Sequence, residues 1–348
     1  MRQLLLCFGG AVLLGWLFDW LGVPVGWLLG PMAAGILYVA RAGKPQPLNP
    51  AYQTVGQVLL GLTTGLSFPL ATLKLAAVYG GPLLLAVVIT GGLSLLNGYL
   101  LWRWAGVDRA TGFMGSLPGA ASTMVAMSDE MGADAVVVAV LQYLRLLLVV
   151  FLAPVAVAYL FPAQASSLAV APALDSLAPA PWWLTALVLV GSGLLGAWGG
   201  WRVRLPSPTF LGPFLVALPL SWSLPYELEM PGPLFALGLL LLGLSIGVRF
   251  DVPLARKLGK VALIESALVV ALIGLCLGVG YLFHLWTGVD TLTAVLGSTP
   301  GGMEVMVGSA IQLGGDPGLV LAMQMTRYFI ILMLGPWATV RLLGSRAA

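Results

Sequence analysis

The chain has 348 residues, 59% of them apolar and only 8% charged, with a net charge of +3. A soluble domain carries about 25% charged residues, so this surface is built to face lipid, and a water-soluble globular protein is excluded. One histidine and two cysteines leave no disulfide framework, no thiolate metal site and no ligand set for copper or iron oxidation chemistry.

Each membrane helix takes about 20 apolar residues, so the length allows roughly ten spans with short loops. The first run, MRQLLLCFGGAVLLGWLFDW, has the positive start of a signal peptide. It lacks a small-residue cleavage site and leads straight into more apolar sequence, so it is read as a first span. Cys7 follows Leu6 rather than a small residue, and no lipid attachment is expected there. Hydropathy predicts spans near 3–20, 25–40, 52–68, 76–104 and 134–160, then near 183–200, 207–222, 233–249, 260–286 and 316–342. Between the two sets, residues 162–181 are rich in Ala, Pro and Ser and read as a linker. Two stretches remain, about 111–131 and 293–313. Both are apolar but interrupted by Pro-Gly, and each is either a full span or a re-entrant hairpin.

Those two stretches carry nearly the same phrase, GSLPGAASTM from Gly115 and GSTPGGMEVM from Gly297, 182 residues apart. The same shift, without a gap, aligns Gly30-Pro31 with Gly212-Pro213, Gly61 with Gly243 and Gly65 with Gly247. It also aligns Asp108 with Asp290, Asp134 with Asp316, Gln142 with Gln324, Arg145 with Arg327 and Pro154 with Pro336. The chain is an internal duplication, with repeat 1 over 1–161 and repeat 2 over 182–348. Positive charges decide the orientation. If each broken stretch returns to its own side, Arg2, Arg41, Lys44, Arg103, Arg109, Arg202, Arg204, Arg249, Arg256, Lys257, Lys260, Arg341 and Arg346 fall inside, and Lys74 falls outside. The fold expected is an all-α, multi-pass membrane protein of two inverted-topology repeats. Each repeat has about five spans and one re-entrant Pro-Gly segment; both termini are cytoplasmic and the linker is extracytoplasmic.

Irregular backbone at membrane depth has to be buried in protein or line a cavity. Two Gly/Pro-interrupted segments at matching positions of inverted halves point to a midplane site in a secondary transporter. Ser116, Pro118 and Gly119 on one side, and Ser298, Thr299, Pro300, Gly301 and Gly302 on the other, are the candidate substrate-binding positions; Ser122 and Thr123 add hydroxyls. Arg145 and Arg327 lie deep in their spans, each three residues after a Gln, so Gln142 with Arg145 and Gln324 with Arg327 share a helix face. A mid-membrane Arg costs at least about 2.5 kcal/mol unless it meets a partner or a wet cavity. Its planar fork suits a carboxylate or phosphate on a small-molecule substrate, with the Gln orienting it. The alternative is that each Arg holds carbonyls freed by the adjacent break. Glu304, whose counterpart is Ser122, is the candidate coupling residue, for a proton or a sodium ion, or else a neutraliser of Arg327. Asp134, Asp316, Asp108 and Asp290 read as helix caps, and Gly61/Gly65 with Gly243/Gly247 as close-packing pairs between halves or between subunits. An enzyme is not expected: no Ser–His pair lies near the breaks, and no loop is long enough for a DNA-binding module, so no nucleic-acid partner is expected either. No cofactor beyond a coupling ion is expected.

The twofold G-S-x-P-G, followed by G-x-D and Q-x-x-R, resembles the bacterial membrane "AbrB duplication" family. It is carried by Gly115, Pro118, Gly119, Asp134, Gln142 and Arg145, and again by Gly297, Pro300, Gly301, Asp316, Gln324 and Arg327. Members of that family are labelled ammonia monooxygenases or regulators, and the resemblance implies the bacterial cytoplasmic (inner) membrane. The layout is also similar to that of elevator-type carboxylate transporters, which implies a secondary transporter for a small organic anion, working by alternating access as a homodimer. The alternatives are a membrane-embedded sensor or accessory subunit without transport, and a transporter of a cation or neutral solute.

Overall fold

A computed structural model describes residues 2–46, 48–68, 78–117, 124–125, 128, 131–161, 178–205 and 207–343, with side chains described from 7 to 331. The chain is an all-α polytopic membrane protein. In chain order the helices are α1 (Arg2–Trp20), α2 (Gly26–Ala42), α3 (Pro50–Leu66), α4 (Gly80–Ala105), α5 (Arg109–Ser116) and α6 (Ala135–Leu160). They are followed by α7 (Trp182–Val203), α8 (Pro208–Ser223), α9 (Gly232–Gly247), α10 (Val252–Lys257), α11 (Gly259–Thr287), α12 (Thr291–Ser298), α13 (Met303–Leu313) and α14 (Pro317–Leu343). A single two-residue bridge, Ala178–Pro179 beside Tyr226–Glu227, is the sheet among the described residues. Four of the helices, α4, α6, α7 and α11, are long and apolar enough to cross a membrane on their own length and composition. Their outer faces carry large apolar side chains, such as Leu187, Leu194 and Trp198 on α7 and Leu263 and Leu282 on α11, which suit lipid and not water.

The 182-residue shift reappears helix by helix. It carries α2 onto α8, α3 onto α9, α4 onto α11 and α6 onto α14 within a few residues, and α5 onto α12 end for end. The packing is exchanged between copies: α2 lies against α9, and α3 against α8. Glycines set that approach. A Cβ on Gly61 of α3 would collide with the Phe210 carbonyl of α8, and a Cβ on Gly243 of α9 would collide with the Leu28 carbonyl of α2. Leu28 and Phe210 are themselves 182 residues apart, so the contact is reciprocal, as in a pair related by a twofold axis. Gly65 on Phe214 and Gly247 on Met32 repeat the relation one turn on. The close-packing glycines therefore belong to the interface between halves, a choice the sequence left open.

The outer helices α1 and α7 pack on α2 and α8, whereas α4, α5, α6, α11, α12 and α14 form a second body, in which α4 packs on α11, α6 on α11, α5 against α4 and α6, and α12 against α11 and α14. Each short helix is started by its aspartate: Asp108 accepts from Thr111 N at 2.8 Å, and Asp290 from Thr293 N at 2.8 Å. Asp134 accepts from Val136 N and Val137 N, and Asp316 from Gly318 N and Leu319 N, so both cap their helices as expected.

Candidate functional site

An eight-residue helix ending inside the protein leaves its last carbonyls without intrahelical partners. This is the condition at Ser116 and at Ser298, where α5 and α12 stop among buried residues. In both copies the donors come from the Gln–Arg pair on the long helix that follows. Gln142 Nε2 donates to Met114 O (2.7 Å) and Leu117 O (3.0 Å), and Arg145 donates to Ser116 O and to Gln142 Oε1. In repeat 2, Gln324 Nε2 donates to Leu296 O (3.0 Å) and Thr299 O (3.1 Å). Arg327 donates to Thr299 O (2.9 Å), Gly301 O (3.3 Å) and Gln324 Oε1. Each Gln thus bridges its Arg to the broken helix, and each guanidinium, only 5% exposed, sits at the negative end of a helix dipole. The arginine forks hold backbone, as in the alternative weighed from sequence. All described partners of Arg327 are neutral acceptors.

The hydroxyls at the breaks turn back on their own helices: Ser116 donates to Phe113 O, Ser298 to Ala294 O and Thr299 to Val295 O. Pro300, Gly301 and Gly302 form the turn between α12 and α13, with Gly302 as the residue before the α13 helix. Pro118, Gly119, Ser122 and Thr123 lie outside the described residues.

Glu304 stands in the first turn of α13 and does not pair with Arg327. Its carboxylate accepts from Gln57 Nε2 of α3 at 3.1 Å and from the Ser207 hydroxyl at the start of α8. Gln57 in turn accepts from the Thr209 hydroxyl. Ser207 has a left-handed backbone (φ 48°), matched 182 residues earlier by Val25 (φ 57°), and its hydroxyl serves Glu304 and does not cap α8. This network lies beside a cleft of about 110 Å³ whose polar walls are Gln53, Gln57, Tyr143, Ser245, Arg249, Gly302 and Glu304. Arg249 donates to Gln53 Oε1, and the buried Ser245 hydroxyl has no hydrogen-bond partner among the described residues. The cleft floor at Gly302 is one residue from Gly301, whose carbonyl Arg327 holds. A larger open groove of about 490 Å³ between α1 and α2 is mostly apolar and lies elsewhere.

The sequence reading did not place Gln57, Ser207, Thr209 or Arg249 at a site: Ser207, Thr209 and Arg249 are ordinary polar residues near helix ends, Arg249 counting only toward orientation, and Gln57 is a single amide in mid-helix. That reading also passed over Glu265, a carboxylate in the apolar run VALIESALVV that its own rule for intramembrane charges would have flagged.

Over residues 27–343 the chain matches the family described as "Transition state regulatory protein AbrB". It is 32% identical to "Putative regulator AbrB" of Escherichia coli (strain K12), over 93% of this chain and 92% of that protein. It is 24% identical to "Uncharacterized protein YhjN" of Bacillus subtilis (strain 168), over 92% of this chain and 88% of that one. No solved structure matches it. The family match runs from α2 to the end of α14 and takes in both breaks and both Gln–Arg clamps, so this chain belongs to the AbrB family.

Proposed function

We propose that this protein is a secondary transporter that moves a small, carboxylate-type organic anion across the bacterial cytoplasmic membrane by alternating access. Its repeats are 1–161 and 182–348, in inverted topology, with 162–181 on the outer side. The observation that carries the reading is the second break. Arg327 brings a full positive charge to membrane depth, its described partners are neutral carbonyls and an amide, and the break opens onto a polar cleft. Arg249 adds a second cation to that cleft. The N-terminus of α13, where Gly302 provides no side-chain cap, turns its first amides and the positive end of its dipole toward the same place. Glu304 is occupied by neutral donors, so it shapes the cleft and tunes the ion coupling without cancelling either cation. The exchanged packing of α2/α9 and α3/α8 supplies a frame against which the second body moves.

A thermal-shift screen of the purified protein against acetate, lactate, succinate, citrate, phosphate, methylamine and ammonium tests this. A bound ligand stabilises the fold by about 2.7 kcal/mol at a hundredfold excess over its dissociation constant. A carboxylate is expected to stabilise the wild type and to lose that effect in Arg249→Gln, with Arg327→Gln behaving alike if it folds. Vesicles loaded with that carboxylate then show counterflow. Stabilisation by ammonium or methylamine alone, through Glu304, refutes the anion class. Stabilisation without counterflow replaces transport with a regulatory role, the one printed in the name of the E. coli relative.

A further inference from the structure

The second body holds one ionisable group that neither the clamps nor the cleft uses. Glu265 of α11 is 0% exposed, and neither of its oxygens has a hydrogen-bond partner among the described residues. Opposite it on α4 lies Asn97, also buried, whose amide nitrogen and oxygen are likewise unpartnered. The Asn97 amide is near enough to act on the carboxylate, though outside hydrogen-bonding geometry, and the Arg145 guanidinium of α6 is the charge whose field reaches it. The other packed elements contribute no titratable group. α12 contains none, and α10 carries Arg256 and Lys257 on an exposed surface. A carboxylate in a dry interior, with no donor, is tolerated when a nearby charge or a bound proton compensates it.

Asn97 also ends a buried polar row, with Ser94 and Thr90 at one and two turns before it on the same face of α4, their hydroxyls donating to Thr90 O and Ala86 O of their own helix. The residue after Asn97 touches the first break, since a Cβ on Gly98 would collide with the Ser116 hydroxyl. The duplication does not account for this group: the positions matching Glu265 and Asn97 are Leu83 and Val279, both apolar.

We infer that Glu265, beside Asn97 on the facing helix, is the proton-coupling site of the transporter and is read by Arg145 at the first break. A proton from the aqueous phase binds one carboxylate oxygen, and no other bond changes. The buried charge of the protein then rises by one, which favours entry of one negative charge into the cleft at the second break, so anion and proton cross together. A sodium ion fits poorly, because the carboxylate and one amide oxygen supply too few ligands and the guanidinium repels a cation. As a coupling site this rests on the reading above; as a proton-binding site it is testable without any cargo.

The full-length protein in phosphatidylcholine vesicles is titrated with acid while infrared difference spectra are recorded. The wild type is expected to gain the carbonyl band of a buried carboxylic acid. That band falls to background in Glu265→Gln, shifts in Glu265→Asp and survives in Glu304→Gln, and Asn97→Leu moves its midpoint. A band unchanged in Glu265→Gln overturns the proposal, as does a wild type with no such band. In vesicles taking up whichever carboxylate stabilised the protein, an inward proton gradient should raise wild-type uptake but not that of Glu265→Gln. An unaltered gradient response in that variant removes the coupling role, leaving the cargo assignment intact. A Glu265 band with no carboxylate flux leaves the proton site standing and removes the cargo assignment.

Discussion

The two Gln–Arg clamps have the same parts and different neighbours. At both, a glutamine bridges an arginine to the end of an eight-residue helix, and a threonine hydroxyl in that helix accepts from the amide of the next aspartate (Asp134 N to Thr111, Asp316 N to Thr293). Around the first, repeat 2 supplies a buried carboxylate, Glu265, in the field of the arginine. Around the second, the arginine meets neutral acceptors, and the break opens beside Glu304 and Arg249. The positions matching Glu304, Arg249 and Gln57 in the other copy are Ser122, Ser67 and Leu239. Duplication has kept what the backbone requires, caps and donors for stranded carbonyls, and has diverged where charge decides which solute or ion is attracted.

The largest expected effect separates the clamps directly. Arg145→Met strands carbonyls, at about 1–3 kcal/mol for each one left bare, and in addition removes the charge near Glu265, so its loss in denaturant unfolding in detergent should be the larger of the two. Arg327→Met strands carbonyls only, at about 1–3 kcal/mol for each one left bare, and is the milder of the two for equal numbers of carbonyls. Adding Glu265→Leu to Arg145→Met should return about 1–3 kcal/mol, while adding it to Arg327→Met returns nothing; equal behaviour in both backgrounds would erase the distinction. Gly61→Ala and Gly243→Ala test the frame, where both should cost about 1–3 kcal/mol through overpacking and should match each other in thermal unfolding. The smallest effects belong to Asp108→Ala and Asp290→Ala. Each loses a cap worth about 1 kcal/mol, and a marked inequality there would mean that the two short helices are held differently.

Much of this could be read from the chain because the duplication sets the alignment. The shift that pairs Gly115 with Gly297 also pairs the ends of α5 and α12, and the predicted spans fall on ten observed helices. The caps were legible for a local reason, since Asp108, Asp134, Asp290 and Asp316 act on amides two or three residues away. What the arginines hold was not legible. That depends on α5 and α12 ending inside the protein, which leaves carbonyls as the nearest acceptors. Nor was the Glu304 network, which joins residues 247 and 97 positions apart in sequence. Glu265 was legible as a charge inside an apolar run, but it departs from the repeat, so the alignment offered no pointer to it.

The reciprocal glycine contacts have a consequence for how such a chain can be divided. Each half presents a notch, Gly61 or Gly243, and the ridge that fits the other half's notch, the carbonyl of Leu28 or Phe210. The surface is therefore self-complementary in its backbone, independent of the side chains that later made the halves unequal. Two fragments cut between the halves would each keep one notch and one ridge of that surface, Gly61 with Leu28 in the first and Gly243 with Phe210 in the second.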